Sequence, residues 1–176
     1  MHFSIRRAEL SDAADIARLH VEVWRQTYRG LAPQDAYAAL DESRRHEMWK
    51  SKLHATDPHE IVLVAESEAQ LIGIGAAGPP SDTVFGKRAE IKHLYIHSSA
   101  KRRGVGTQIL SKLTSHMKMC GYGSAALSVV RGNEQAELFY RARKGEIIGE
   151  FVDPGPLWRS QNLVYAWDDI NELISR

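Results

Sequence analysis

The sequence predicts an α/β (α+β) domain built on one mixed, mostly antiparallel sheet, and three observations carry that prediction. Two helical regions fill most of residues 11–56 before any long apolar run appears. Ile61-Val62-Leu63-Val64-Ala65 and Leu71-Ile72-Gly73-Ile74-Gly75-Ala76 are β-rich runs joined by a short polar link, Glu66 to Gln70, the pattern of a hairpin. Glu90 to Val130 reads strand, glycine loop, helix, strand, a right-handed crossover between parallel neighbours. With 176 residues and 43% hydrophobic content, residues 1–176 form a single domain with its own core.

Phe3-Ser4-Ile5-Arg6 alternates as a short strand. Ser11-Asp12 then caps a helix whose apolar stripe is Ile16, Leu19, Val23 and Thr27, and Gly30 ends it. Pro33 to about Thr56 is a second helical region with Leu40, Met48, Trp49 and Leu53 on its apolar side, closed by Asp57-Pro58. Where one helix breaks from the next stays open. After the hairpin, Gly78-Pro79-Pro80-Ser81 terminates a strand, and Ala89 to His97 leads directly into a glycine loop. The helix from Gly104 to Met119 carries Val105, Ile109, Leu113 and Met117 on one stripe and stops at Gly121. Ala125 to Val130 is a strand, and Asn133 caps a helix with Ala136, Phe139 and Tyr140 at i, i+3 and i+4. Arg141, Arg143 and Lys144 complement its C-terminal dipole before Gly145. Ile147 to Phe151 and Asn162 to Trp167 finish the sheet as an antiparallel pair across Pro154-Gly155-Pro156. Asp168 to Ile174 is a short amphipathic helix that either closes the core or meets a second copy in a homodimer.

Chemistry concentrates in Lys101-Arg102-Arg103-Gly104-Val105-Gly106-Thr107, between a strand and a helix. Two glycines let backbone N–H groups turn inward together, and the following helix presents its unsatisfied amides and positive dipole end to the same spot. The segment is a phosphate cradle or, on composition alone, a solvated basic turn. A formal net charge of +1 makes any phosphate binding local and argues against a nucleic-acid or anionic-membrane partner. No apolar run approaches the roughly 20 residues that span a bilayer. The lone Cys120 excludes an internal disulfide and fits a reducing cytoplasm, and Met1-His2-Phe3-Ser4 lacks the apolar core of a signal peptide.

Other chemistries fail on spacing. In Gly78 to Lys87, Ser81 stands at the first P-loop glycine and Arg88 replaces the magnesium-binding Ser/Thr. The third glycine of a dinucleotide fingerprint would fall at Ile109. Eight histidines include no metal-ligand motif, and His93 and His97 stand about 13 Å apart on an extended strand, so no metal is expected. Cys120 precedes Gly121 at a helix end, not at the kind of helix start that activates a thiol, and reads as packing rather than as a nucleophile.

Two motifs, in this order, give the chain a resemblance to the GNAT superfamily of acyl-CoA-dependent N-acyltransferases over nearly its whole length. Glu90-Ile-Lys-His-Leu-Tyr-Ile-His followed by Lys101-Arg-Arg-Gly-Val-Gly looks like the family's fourth strand and its pyrophosphate loop, Gln/Arg-x-x-Gly-x-Gly/Ala. Asn133-Glu-Gln-Ala-Glu-Leu-Phe-Tyr140 looks like its later coenzyme A motif. Lys101 departs from Gln or Arg but keeps a cation, and Glu146 follows Gly145 where an aromatic is usual. The resemblance implies a twisted sheet of six to seven strands with helices on both faces, acetyl-CoA as cosubstrate, and acetyl transfer to a small-molecule or peptide amine. It also implies that Leu94, Tyr95, Ile96, Ala136 and Phe139 touch coenzyme A. The rival reading is a non-catalytic acyl-CoA-binding or partner-binding module on the same fold.

Acyl transfer from a thioester to an amine needs a positioned donor, a neutral nucleophile, a polarised carbonyl and a protonated leaving sulfur. Amides from Arg102 to Thr107 hold the pyrophosphate, with Arg102 or Arg103 free for an outlying phosphate. Asn133 reaches the peptide-like pantetheine arm or merely caps its helix. Tyr140 is the candidate acid for the thiolate, a role the resemblance implies, against an ordinary core Phe-Tyr pair. Glu90 is the first candidate base, against a solvent-edge Glu, and His93 the second, with the better unperturbed pKa of ~6.5. Ile91 and Leu94 are both apolar yet three apart, and a β-bulge would reconcile them, as in the resembling family, while freeing an N–H for the oxyanion. The family's acceptor site lies beside the first two helices, which here contain Trp24, Tyr28, Tyr37 and Trp49; Trp24 and Tyr28 are the candidate acceptor-binding pair, against a plain core role.

Overall fold

The computed structural model describes residues 2–55 and 57–174. Among the described residues seven strands make one sheet: β1 (Ser4–Arg7), β2 (Ile61–Ser67), β3 (Gln70–Gly78), β4 (Ala89–Ile96), β5 (Ala125–Val130), β6 (Glu146–Asp153) and β7 (Ser160–Trp167). Their order is β1-β2-β3-β4-β5-β7-β6, and β4–β5 is the parallel pair. Among those residues α-helices cover it: α1 (Ala13–Thr27), α2 (Gln34–Ala39), α3 (Glu42–His54), α4 (Val105–Met119) and α5 (Glu134–Arg141). Among the described residues no helix is long and apolar enough to cross a membrane.

Alternation along the strands sends side chains to two cores. On one face Val64, Ile74 and Ala76 pack under Ile16, Leu19 and Val23 of α1 and Trp49 of α3. On the other, Leu63, Ile91, Leu127 and Tyr165 pack under Ile109, Leu113 and Met117 of α4. Gly75 is what lets α4 lie against β3. A Cβ there would stand 2.3 Å from Ile109 Cγ2 and 2.9 Å from Leu113 Cδ1, so any side chain would push α4, and with it the glycine loop, off the sheet.

Local chemistry corrects several sequence expectations. Asp12 does not cap α1 with its side chain; a 3-10 turn at Leu10–Asp12 precedes the helix. Its carboxylate accepts from Glu9 N at 2.7 Å and from Arg6 Nη1 and Nη2 at 2.7 and 2.9 Å. Arg6 therefore holds the Asp12 carboxyl below the usual range, and the pair ties β1 to the start of α1. The second helical region is two helices, because the Asp41 carboxylate accepts from Ser43 N at 2.8 Å and starts α3 anew, leaving Leu40 buried in the link. Its expected end at Thr56 lies outside the described residues. A 3-10 turn, Ser98–Ala100, separates β4 from the glycine loop. The C-terminal segment makes a single 3-10 turn, Ile170–Leu173, whose Ile170 and Leu173 are buried in this chain's own core.

The β-bulge is present. Ala76 pairs with His93 and Ala77 with Ile91, so Lys92 is the extra residue on β4. On its other side β4 pairs with β5 only through Ala89↔Ala125 and Glu90↔Ala126, while β5 goes on to pair with β7 along its length. From Ile91 onward the two parallel strands part, and a cleft opens between them.

Candidate active site

The cleft holds about 680 Å³ and is walled by β4 from Ile91 to Ile96, by β5 from Leu127 to Val129, by the start of α4 and by α5. At one end Lys101, Arg102, Gly104, Gly106 and Thr107 line it. Arg102 and Gly104 both adopt left-handed backbone, at φ 60° and 82°, turning successive amides to one side just as α4 begins. Gly104 makes that turn without a Cβ penalty. The arrangement can seat an anion: amides turned to one side, the positive end of a four-turn helix, and two cationic side chains.

The opposite wall is α5. Asn133 Oδ1 accepts from Ala136 N at 3.3 Å, so the Asn is a cap and also lines the cleft beside Ala136 and Phe139. Lys101 Nζ donates to Gln135 Oε1 at 3.1 Å, linking loop and helix. Arg143 does more: its Cζ lies 3.6 Å from the Phe139 ring centroid, and its guanidinium donates to Phe139 O and to Thr107 Oγ1. It clamps α5 onto the first turn of α4.

Tyr140 is buried yet lines the cleft, with ring centroids of Phe139, Tyr165 and Trp167 at 5.1, 6.0 and 5.9 Å. Among the described residues its hydroxyl has no hydrogen-bond partner. Burial pushes its phenol up, with the Arg143 charge pulling the other way, so the proton stays on oxygen. Tyr28 and Tyr95 line the same cleft; burial pushes Tyr28 upward and Tyr95 up to about 12.

His93 lies on the cleft wall, with ring centroids of His20, Trp49 and Tyr95 at 5.5, 5.1 and 5.8 Å. Burial first, and then the charges of Lys52, Arg45 and Lys92, lower its pKa to about 3. The attractive ordinary pKa of a histidine is therefore lost here, and His93 is a neutral hydrogen-bonding group at any working pH. Behind it, His20 Nδ1 accepts from Trp49 Nε1 at 3.0 Å, and burial keeps that imidazole neutral as well.

Four sequence candidates are not on the cleft wall. Glu90 is paired on both sides, to Gly78 and Ala126, where the strands have not yet parted. It is 9% exposed, and its carboxylate accepts from Ser81 N at 2.7 Å. Trp24 points into an aromatic cluster with Tyr28, Tyr37 and Trp158, at 5.1, 5.3 and 5.4 Å. Val105 has its side chain in the core, because the first turn of α4 must anchor to the sheet. Arg103 is exposed, outside the lining. Leu94, Tyr95, Ile96 and the remaining loop and α5 candidates are brought together. Sequence reading missed Lys92, Ser128, Gln135 and Arg143. Arg143 was visible only as one of three cations near a helix end, and nothing local distinguishes it from Arg141 or Lys144.

Comparison with known proteins points the same way as the geometry. A family model described as Acetyltransferase (GNAT) family matches residues 17–145. The chain is 28% identical over 173 residues to the uncharacterised N-acetyltransferase YuaI of Bacillus subtilis (strain 168), covering 97% of this chain and 95% of that one. Among solved structures, the PaiA N-acetyltransferase of Thermoplasma acidophilum in complex with coenzyme A superposes with a TM-score of 0.72 at 19% identity, covering 93% of this chain and 98% of the other. YncA of Salmonella typhimurium, solved with its cofactor acetyl-CoA, gives 0.68 at 17% identity over 95% and 94%. The likeness in structure is one of fold.

Proposed function

Because the chain belongs to the GNAT acetyltransferase family, a family of acyltransferase enzymes, we propose that it moves the acetyl group of acetyl-CoA directly to a primary amine held in the cleft between β4 and β5. One observation carries the reading: the cleft joins an anion seat at the start of α4 to a protonated, unpartnered phenol, Tyr140, on its far wall. Coenzyme A fits that polarity. Its pyrophosphate takes the amides of residues 102–107 with Lys101 and Arg102, and its pantetheine arm lies along the unpaired edge of β4 at Leu94 to Ile96, facing Asn133, Ala136 and Phe139.

The chemistry follows from what each group can do. The amine nitrogen attacks the thioester carbon, and charge develops on the carbonyl oxygen next to the bulge at Lys92, where β4 offers backbone N–H groups with no ladder partner on the β5 side. As the carbon–sulfur bond breaks, Tyr140 gives its proton to the thiolate and is reprotonated from solvent. The nitrogen must lose a proton too. His93 is the cleft-wall group for that contact and accepts a hydrogen bond from the amine; too weak a base to keep the proton, it passes it to water. Glu90 lies where β4 is still paired on both sides, off the cleft wall, with its carboxylate taken by Ser81 N. The single unpaired Cys120 supports a reducing compartment, the cytoplasm.

Free-thiol release from acetyl-CoA against an amine panel tests the proposal, alongside thermal stabilisation by coenzyme A. We expect amine-dependent thiol release, with kcat/KM rising along the amine's own titration and without a break near 6.5, since His93 stays neutral down to about 3. Stabilisation by coenzyme A without turnover of any amine would support the binding-module reading instead.

A further inference from the structure

The two sides of the cleft differ in charge. Strand alternation sends Leu94 and Ile96 to the α4 side, where they pack on the core that includes Tyr140, and sends His93 and Tyr95 to the α1 side, with rings 5.5 and 4.6 Å from that of His20. The end of α1 adds Val23, Thr27 and its C-cap Tyr28 to the same side. Ser128 of β5 joins them, because its neighbours Leu127 and Val129 turn to the α4 side. None of these six side chains is ionised, since burial keeps His93 neutral. The cations of the cleft lie elsewhere. Lys101 and Arg102 belong to the glycine loop, and Arg143 follows α5. The Lys92 ammonium is taken by Glu60 at 2.6 Å, off the cleft wall. Among the described residues no carboxylate lines the cleft.

The neutral side is also a rigid aromatic one. Tyr28 is wedged between Trp24 and Trp158, the latter from the link between β6 and β7, at 5.1 and 5.5 Å, and Tyr37 closes the cluster on Trp24 at 5.3 Å. Tyr95 is held by the two imidazoles, 4.6 Å from His20 and 5.8 Å from His93. Such a wall takes an apolar or aromatic body by burial and ring packing, and its ring faces receive the ammonium form of an entering amine. A second ionised group would lose its water there and gain no partner.

We propose that the acceptor is a primary monoamine with an apolar or aromatic body and no second ionised group, bound against Tyr28 and Tyr95 on the α1 side of the cleft. Its nitrogen reaches the thioester through the gap where β4 and β5 part. This rests on the reading that acetyl-CoA lies along the glycine loop and α5 and that the amine attacks within this cleft. The step balances as before: the carbon–nitrogen bond forms, the carbon–sulfur bond breaks, the nitrogen loses a proton to water and Tyr140 supplies one to sulfur.

The test pairs each monoamine with a relative that carries one more ionised group: pentylamine with cadaverine, and 2-phenylethylamine with L-phenylalanine. Thiol release gives kcat/KM, and binding of the amines to the coenzyme A complex is followed by calorimetry. We expect each monoamine to exceed its partner at least about 20-fold in kcat/KM. Thr27→Glu brings a carboxylate to a half-buried position of the neutral wall and should narrow the ratio of pentylamine to cadaverine about tenfold, mostly through KM. Thr27→Gln, of nearly the same size, keeps the wild-type ratio, and thermal stabilisation of each variant by coenzyme A shows that its fold and cofactor site are intact. Equal or better use of cadaverine or L-phenylalanine, or an unchanged ratio in Thr27→Glu, overturns the inference and leaves the catalytic reading standing. Binding of the monoamines but not of their partners, without turnover, keeps the inference and overturns the catalytic reading; neither binding nor turnover of any of the four overturns both.

Discussion

Tyr140→Phe lowers kcat about 100-fold or more while the Kd for coenzyme A stays within about twofold. The expectation rests on what the hydroxyl does and does not touch. It contributes no hydrogen bond to the fold among the described residues, and the ring packs identically without it against Phe139, Tyr165 and Trp167. Removing one oxygen therefore leaves stability close to wild type, because no buried partner is orphaned. What disappears is a proton source on the cleft wall. A phenol held protonated by burial can meet a thiolate only as sulfur takes up charge, so the loss falls on the transition state and not on cofactor binding. A loss of affinity with kcat unchanged would reassign Tyr140 to packing.

Gly106→Asp weakens coenzyme A binding about 100-fold, equivalent to about 2.7 kcal/mol, with the fold intact. Space is available for the new side chain. A Cβ at Gly106 would lie 3.4 Å from Ile96 Cγ1 and 3.7 Å from Phe139 Cζ, ordinary or slightly tight contact with movable atoms, and the helical backbone there needs no positive φ. The carboxylate, however, enters the seat meant for a pyrophosphate, where like charges cost several kcal/mol and the helix N-terminus is already satisfied. Calorimetric titration with coenzyme A reads the effect directly, and Gly106→Asn separates shape from charge. Equal binding by wild type and Gly106→Asp would move the pyrophosphate elsewhere.

Features decided by a few neighbouring residues were legible before the fold was known. The glycine loop, the Asn133 cap and the Gly121 stop each follow from local backbone requirements, and the α4 stripe from its period. The bulge was readable as a conflict between Ile91 and Leu94. Features decided across the chain were not. Whether Glu90 or His93 meets the cleft depends on where β4 leaves β5, which is set by β5 pairing with β7 nearly forty residues later. The drop in the His93 pKa comes first from burial against elements distant in sequence and then from Lys52 and Arg45 of α3, and the clamp by Arg143 needs Thr107 from the start of α4. Trp24 on α1 and Tyr28 at its C-cap look alike as neighbouring aromatics, yet one packs on Trp158 and Tyr37 and the other also reaches the cleft wall.

In the proposed reaction the acetyl group passes from sulfur to nitrogen without stopping on the protein. Rapid-quench intact mass measurement of a single turnover, with enzyme in excess over acetyl-CoA, tests it most directly. In the absence of amine the protein mass should not change. On addition of the amine, free coenzyme A and N-acetylated amine should appear together in equal amounts. An acetylated protein that forms before the amine is added and decays when it arrives, with Cys120 as the first position to check, would replace direct transfer with a covalent acetyl-enzyme route.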